Sequence, residues 1–334
     1  MFNYQTLEER KKQMEPSSSN TVHRIAYIDT AKAICIFLMI VGHWTNIEWL
    51  RVYIYSFHMP TMFVISGYLY KPHSWKNTIV AFSIPLLCFS LLSLGVKIII
   101  GEMSPYSISF PKTFFLIFHY RYGLGESLMT GDWFLWALIA LRFMFGDISW
   151  MSGLKKYYIP IAIFSIIYMT LESRLISIDT IFRGYIIGRA IPCLPFFCFG
   201  FWLKNKQWEP KKLPLTIIIL IFAVFLTVPP VNKATGIIDN GYGYSYIIFF
   251  ICAIAISLLI FWISNKIPPN KFIVTISKGT FVVLGTHMPI LLILNKLLPP
   301  KTEQILPFIT IVLCYYIIIF CEKYCPILLG RIKH

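Results

Sequence analysis

Ten apolar runs separated by short polar breaks take up most of this chain, near 26–44, 52–70, 77–100, 132–151, 157–171, 182–203, 213–230, 245–263, 271–295 and 305–325. The hydrocarbon core of a bilayer takes about 20 apolar residues per helical span. Every backbone N–H and C=O at that depth must be satisfied inside the element, so helices are expected throughout. Composition agrees: of 334 residues, 57% are apolar or aromatic and 13% are charged, against about 25% charged in soluble domains. A soluble fold of this size could not hide so much apolar surface. The expected fold is an all-α polytopic membrane protein, a bundle of about ten transmembrane helices. Residues 111–119 add an apolar patch too short to span, expected at the interface.

Residues 1–24 are polar and read as a cytoplasmic tail, 25–325 as the transmembrane domain, and 326–334 as a second cytoplasmic tail. No apolar core follows Met1 directly, so the first span is expected to act as anchor rather than as a cleaved signal. With the N-terminus inside, 17 of the 30 lysines and arginines fall in inner segments, 8 in outer segments and 5 within spans. That bias favours both termini being cytoplasmic. The net charge of +15 is spread over short loops, which suits topology and argues against a nucleic-acid partner. The eight cysteines lie in or beside apolar runs, the usage of small apolar side chains, and no metal site is expected.

Charges inside spans are costly and mark either a function or a structural pair. Asp29 and Lys32 are three apart and share a helix face; taken alone, they read equally well as a structural ion pair. His43 follows Lys32 by 11 residues, three turns, on the same face and about 16 Å along the axis. Alternating the spans puts His43, His58, Asp132, Arg183, Arg189 and His287 toward the outer side. Lys32, Ser66, Gly67, Lys71 and Lys278 fall toward the inner side. Histidines with a carboxylate suit acid–base work on a hydroxyl, and inner cations suit an anionic, phosphate-bearing ligand.

Plainer readings stand beside these. Ser66-Gly67 suits close helix packing, Pro60, Pro192, Pro195 and Pro289 suit kinks that open a cavity, and Trp133, Trp136 and Trp150 suit interfacial anchoring. Arg142 and Arg189 read either as buried pairs or as acceptor contacts. The residues alone leave an enzyme and a transporter or flippase of a glycolipid or small anion side by side, since buried charges and broken helices are expected in both.

Particular segments resemble the membrane acyltransferase-3 family, most closely its fucose 4-O-acetylase-like branch. They are Tyr27-Ile28-Asp29-Thr30-Ala31-Lys32-Ala33 with Val41-Gly42-His43; Phe57-His58-Met59-Pro60 with Phe63-Val64-Ile65-Ser66-Gly67-Tyr68-Leu69; Asp132-Trp133-Phe134-Leu135; Pro195-Phe196-Phe197-Cys198-Phe199-Gly200; and Phe281-Val282-Val283-Leu284-Gly285-Thr286-His287-Met288-Pro289-Ile290. They run in family order from about residue 25 to 290. The chain departs at Leu138, where many members carry a Glu, and at Lys32, where the family usually has Arg.

The resemblance implies transfer of an acyl group, usually acetyl from acetyl-CoA, to a sugar hydroxyl of a cell-surface polysaccharide or its lipid-linked precursor, in the bacterial inner membrane. It implies an acyl-CoA donor substrate, a saccharide or glycolipid acceptor and surrounding membrane lipid, with no bound cofactor. His43 is the candidate general base or transient acyl carrier, with Asp132 or His58 orienting it. Lys32, Asp29, Ser66, Gly67, Lys71 and Lys278 are the acyl-CoA-binding candidates. Trp133, Arg189 and His287 are candidates for the acceptor or cavity wall.

Overall fold

Alternating hydrophobic runs and helix breakers give twelve α-helices among the described residues. The structure is a computed structural model and describes residues 25–102, 132–175, 190–234, 236–237 and 241–331, with backbone only at 132 and 172–175. The helices are α1 (Ala26–Trp44), α2 (Glu48–Tyr55), α3 (His58–Tyr68), α4 (Trp75–Ile99), α5 (Asp132–Arg142), α6 (Tyr158–Leu175), α7 (Leu194–Asn205), α8 (Leu215–Asn232), α9 (Tyr246–Lys266), α10 (Lys271–Lys278), α11 (Thr280–Leu297) and α12 (Leu306–Tyr324). Seven described segments are long and apolar enough to cross a membrane: α1, α4, Ser149–Leu171, α8, α9, α11 and Pro300–Tyr324. Large apolar side chains such as Leu220, Phe222, Phe164 and Phe320 point outward, as a lipid-facing surface requires. The protein is an all-α polytopic membrane protein.

Three of the expected ten runs are broken. The run at 52–70 is α2 followed by α3, because Pro60 cannot donate to the carbonyl four residues back and its ring crowds that position. Ser56 Oγ instead donates to Tyr53 O at 2.7 Å, and Phe57 O accepts from both the backbone N–H and the hydroxyl of Thr61 at 2.8 Å. The run at 271–295 is α10 followed by α11, joined at Gly279. A Cβ at Gly279 would run into Ile318 of α12, so close approach selects glycine there. The run at 132–151 leaves the α-helix after Arg142 through a π-type turn, Phe143–Asp147, kinked at the non-helical Gly146. The run at 182–203 is described only from 190, where α7 begins after a short turn, Ile191–Cys193.

Helix α1 is the most enclosed of the seven spans and packs against α2, α3, α9, α10, α11 and α12. Helices α3 and α7 pack backbone to backbone. A Cβ on Gly67 would meet the Phe197 carbonyl, and one on Gly200 the Val64 carbonyl, as expected of small residues where helices meet in a membrane. A buried hydroxyl pair, Thr61 Oγ1 and Ser257 Oγ at 2.8 Å, ties α3 to α9. Of the four prolines expected to kink helices, Pro60 and Pro195 lie in first turns and Pro192 in the short turn before α7, while Pro289 lies inside α11. Helix starts tolerate proline because its missing N–H has no intrahelical partner there.

Candidate active site

Two groups of polar side chains lie at the two ends of α1. At its first turns, Ser277 of α10 joins the two charged residues: its hydroxyl donates to Asp29 Oδ1 at 2.5 Å, and its carbonyl accepts from Lys32 Nζ at 2.8 Å. Thr30 Oγ1 donates to Ile267 O at 3.2 Å. The shared face of Asp29 and Lys32 thus docks α1 onto the α9–α10 junction.

Lys32 also lines a cavity of about 180 Å³ with Ser66, Phe134, Leu138, Arg142 and Thr280 among its walls. A second cavity of about 320 Å³ is lined by His73, Asn77, Thr78, Arg142 and Gly330, among others. The two share Phe82, Arg142 and Phe281, so they adjoin as one cleft: a larger, more polar part, the mouth, and a smaller part lined by Lys32, the throat. No carboxylate lines either part.

Asp147 stands behind the shared wall. It accepts from Arg142 Nε at 2.9 Å, His73 N at 2.9 Å, Thr78 Oγ1 at 2.5 Å and Tyr70 OH at 3.3 Å. Arg142 is therefore paired to a buried carboxylate while its own side chain stays partly open on the cavity wall. An ordinary α-helix places residues five apart on different faces; the π turn between Arg142 and Asp147 brings them together.

At the last turn of α1, three histidines meet. The His43 and His287 rings lie 5.4 Å apart, and Tyr55 stacks on His58 at 5.2 Å. Tyr55 OH lies 3.4 Å from His43 Nδ1 and donates to Gly42 O at 3.1 Å. Gly42 makes room for this: a Cβ there would sit 2.9 Å from the Tyr55 ring. When the Tyr55 proton goes to Gly42 O, the Tyr55 oxygen can accept from His43 Nδ1–H, the tautomer that leaves Nε2 as the lone-pair nitrogen.

The other two rings follow the same rule. His58 Nδ1 meets Ile54 O at 2.7 Å and His287 Nδ1 meets Val283 O at 2.8 Å. A carbonyl only accepts, so Nδ1 carries the proton and Nε2 is the acceptor in each neutral ring. His287 is fully buried, and its Nε2 has no partner among the described residues. His58 and His287 thus present Nε2 lone pairs beside the His43 ring at one end of α1, with the cationic cleft at the other.

A family comparison decides what kind of protein carries this arrangement: the acyltransferase-3 family model, an acyltransferase domain, matches residues 25–321. The chain belongs to the acyltransferase-3 family. No curated protein and no solved structure shows significant similarity to it. Membership decides between the enzyme and the transporter in favour of a membrane acyltransferase.

Within this acyltransferase, the sequence candidates separate by position. Lys32 and Ser66 line the throat, Ser66 with its hydroxyl bonded to Met62 O at 2.7 Å. Gly67 is not on the wall; it is buried in the α3–α7 contact. Lys71 is exposed beside the cleft, its carbonyl accepting from Arg142 Nη2 at 3.0 Å. Lys278 points away to Glu322 of α12 at 3.7 Å.

Trp133 is buried against Phe63 and Phe134 rather than exposed as an anchor, whereas Trp150 is 80% exposed. His43, His58 and His287 come together. Asp132 heads α5, with its side chain outside the described set, and Arg183 and Arg189 lie outside the described residues. Among described residues, Tyr55 rather than a carboxylate holds His43. Tyr55 and Asp147 join the site without a sequence expectation behind them; the charge of Asp147 between apolar neighbours is a usable signal, whereas a tyrosine in an apolar run is not.

Proposed function

We propose that this acyltransferase is an O-acetyltransferase that moves acetyl from acetyl-CoA to a hydroxyl of a cell-surface saccharide or its lipid-linked precursor, in a bacterial inner membrane with the Lys32 end facing the cytoplasm. The observation that carries this reading is the division of α1: a carboxylate-free cationic cleft at one end and three imidazoles at the other, with Lys32 and His43 about 16 Å apart along the helix. That span suits a donor with an anionic head and a thin acyl-bearing arm. The head would lie in the polar mouth by Arg142, and the arm would pass Lys32 through the throat.

The chemistry assigned to the far end is one proton transfer and one acyl transfer. His43 Nε2 takes the proton of the acceptor hydroxyl as its oxygen attacks the thioester carbonyl. The carbon–sulfur bond breaks, and the thiolate leaves as CoA once the proton reaches it. Tyr55, holding Nδ1–H, keeps Nε2 the basic nitrogen and steadies the imidazolium that forms. No bound cofactor or metal is needed.

The test is acetyl transfer from labelled acetyl-CoA by membranes containing the protein, together with the acetyl content of the surface saccharide in intact cells. His43→Ala should abolish both while the protein remains in the membrane at normal level. Normal acetylation in that variant would overturn the assignment of His43, and wild-type membranes that leave acetyl-CoA intact would overturn the donor.

A further inference from the structure

We propose that Asp147 is the positioning residue of a phosphoryl subsite whose ligand-facing group is Arg142. This rests on the acyl-CoA reading above and names the residues that would recognise the donor's phosphates.

The geometry of Arg142 is that of a guanidinium held from behind. Asp147 takes Nε alone, at 2.9 Å. Lys71 O takes one hydrogen of Nη2 at 3.0 Å, and the guanidinium lies over the Tyr70 ring at 5.3 Å. Five N–H groups are available on the fork; two are used, and Nη1 has no hydrogen-bond partner among the described residues. The edge left over belongs to a side chain that lines both parts of the cleft. A planar edge with spare donors matches a phosphoryl group better than a point charge does.

The surroundings favour an anion. Lys204 Nζ donates to Tyr70 O, and Lys71 and Lys204 are close enough to repel each other. Three cations therefore surround Tyr70 with Asp147 as the one carboxylate described there. Asp147 itself is out of reach of a ligand, with its side chain fully enclosed and bonded to four donors from the α3–α4 turn, α4 and α5. A buried ion pair of this kind is weak evidence for stability alone. What it does is fix where the Arg142 fork points.

The experiment compares two donors: acetyl-CoA, and S-acetylpantetheine, which carries the same reactive thioester and no phosphate. Thiol release is followed for the wild type, Arg142→Ala, Asp147→Asn and the double variant. For acetyl-CoA, each single variant should raise KM about tenfold or more, the loss of one charge-assisted hydrogen bond, with kcat changed less than about twofold. Kinetics with S-acetylpantetheine should not move. The double variant should match Arg142→Ala, because Asp147 acts through Arg142.

A carboxylate that merely caps α4 would give a different pattern. Asp147→Asn would then impair both donors alike, or add its effect to that of Arg142→Ala, and either result overturns the proposal. Single variants with wild-type KM for acetyl-CoA overturn it as well. A wild-type protein that turns over S-acetylpantetheine as readily as acetyl-CoA removes the subsite while leaving the transfer reaction standing. One that turns over neither removes the donor reading and this assignment with it.

Discussion

Tyr55 shows how one hydroxyl can set which nitrogen of the proposed base, His43, is available. Its hydroxyl lies 3.1 Å from Gly42 O and 3.4 Å from His43 Nδ1, and donating to the former lets it accept from the latter, which orients the ring without a carboxylate. Tyr55→Phe keeps the ring stacked on His58 and removes only the oxygen. A neutral hydrogen bond of this kind is worth roughly 1 kcal/mol, so acetyl transfer should fall about fivefold to tenfold in kcat, with KM for acetyl-CoA unchanged. An unchanged kcat in steady-state assays would show that His43 is held by packing alone. His43 and Lys32 were legible in the sequence because charged or titratable residues are rare inside apolar spans. Tyr55 was not, since a tyrosine in an apolar run has an ordinary packing role, and its hydroxyl becomes informative only when the fold brings α2 against Gly42.

Among the elements, the long spans were readable from hydropathy, whereas the breaks inside them were not. A window average passes smoothly over Phe57, Gly279 and Gly146, yet at each of these the chain changes direction to place site residues. Proline at position 60 gave a signal, but as a helix start rather than as a kink. The π turn at Phe143–Asp147 gave only Gly146, since a lone glycine past a helix end marks a stop but does not say which side chains the kink brings together. That turn contains Gly146 at φ 130°, a backbone conformation that costs a residue with a Cβ about 1–3 kcal/mol. Gly146→Ala should therefore lower the midpoint of thermal unfolding in detergent, and should raise KM for acetyl-CoA as Asp147→Asn does, since the turn aims Asp147 at Arg142. Gly153→Ala serves as the control. Its φ is ordinary and a Cβ there meets nothing within 4 Å, so both measurements should stay at wild type. Equal behaviour of the two variants would remove the π turn from the account of the cleft.

For the molecule as a whole, tertiary contacts sort the loops by end, which hydropathy does only by counting spans. Lys32 with Ser277, Thr30 with Ile267, Tyr70 with Lys204, and Lys278 and Arg331 with Glu322 place those segments together at one end. His43 with His287 and Tyr53 with Leu226 O place the others at the opposite end. The first end carries Lys71, Lys76, Lys204, Lys206, Lys211 and Lys212; Arg51, Lys233, Lys296 and Lys301 lie toward the second. A cytoplasmic Lys32 end follows if positive loops stay inside, and acetyl-CoA would then enter from the compartment that makes it. Single cysteines test this with a membrane-impermeant maleimide in a Cys325→Ser background, where Cys88 is the remaining exposed thiol and lies on α4 within the apolar belt. Lys301→Cys should react in intact cells, with the outer membrane permeabilised where there is one, and Lys211→Cys only after the inner membrane is opened. The reverse pattern would put the cationic cleft on the outer side. The two ends of α1 would then have to exchange roles, because no cytoplasmic thioester could reach Arg142 before passing the histidines.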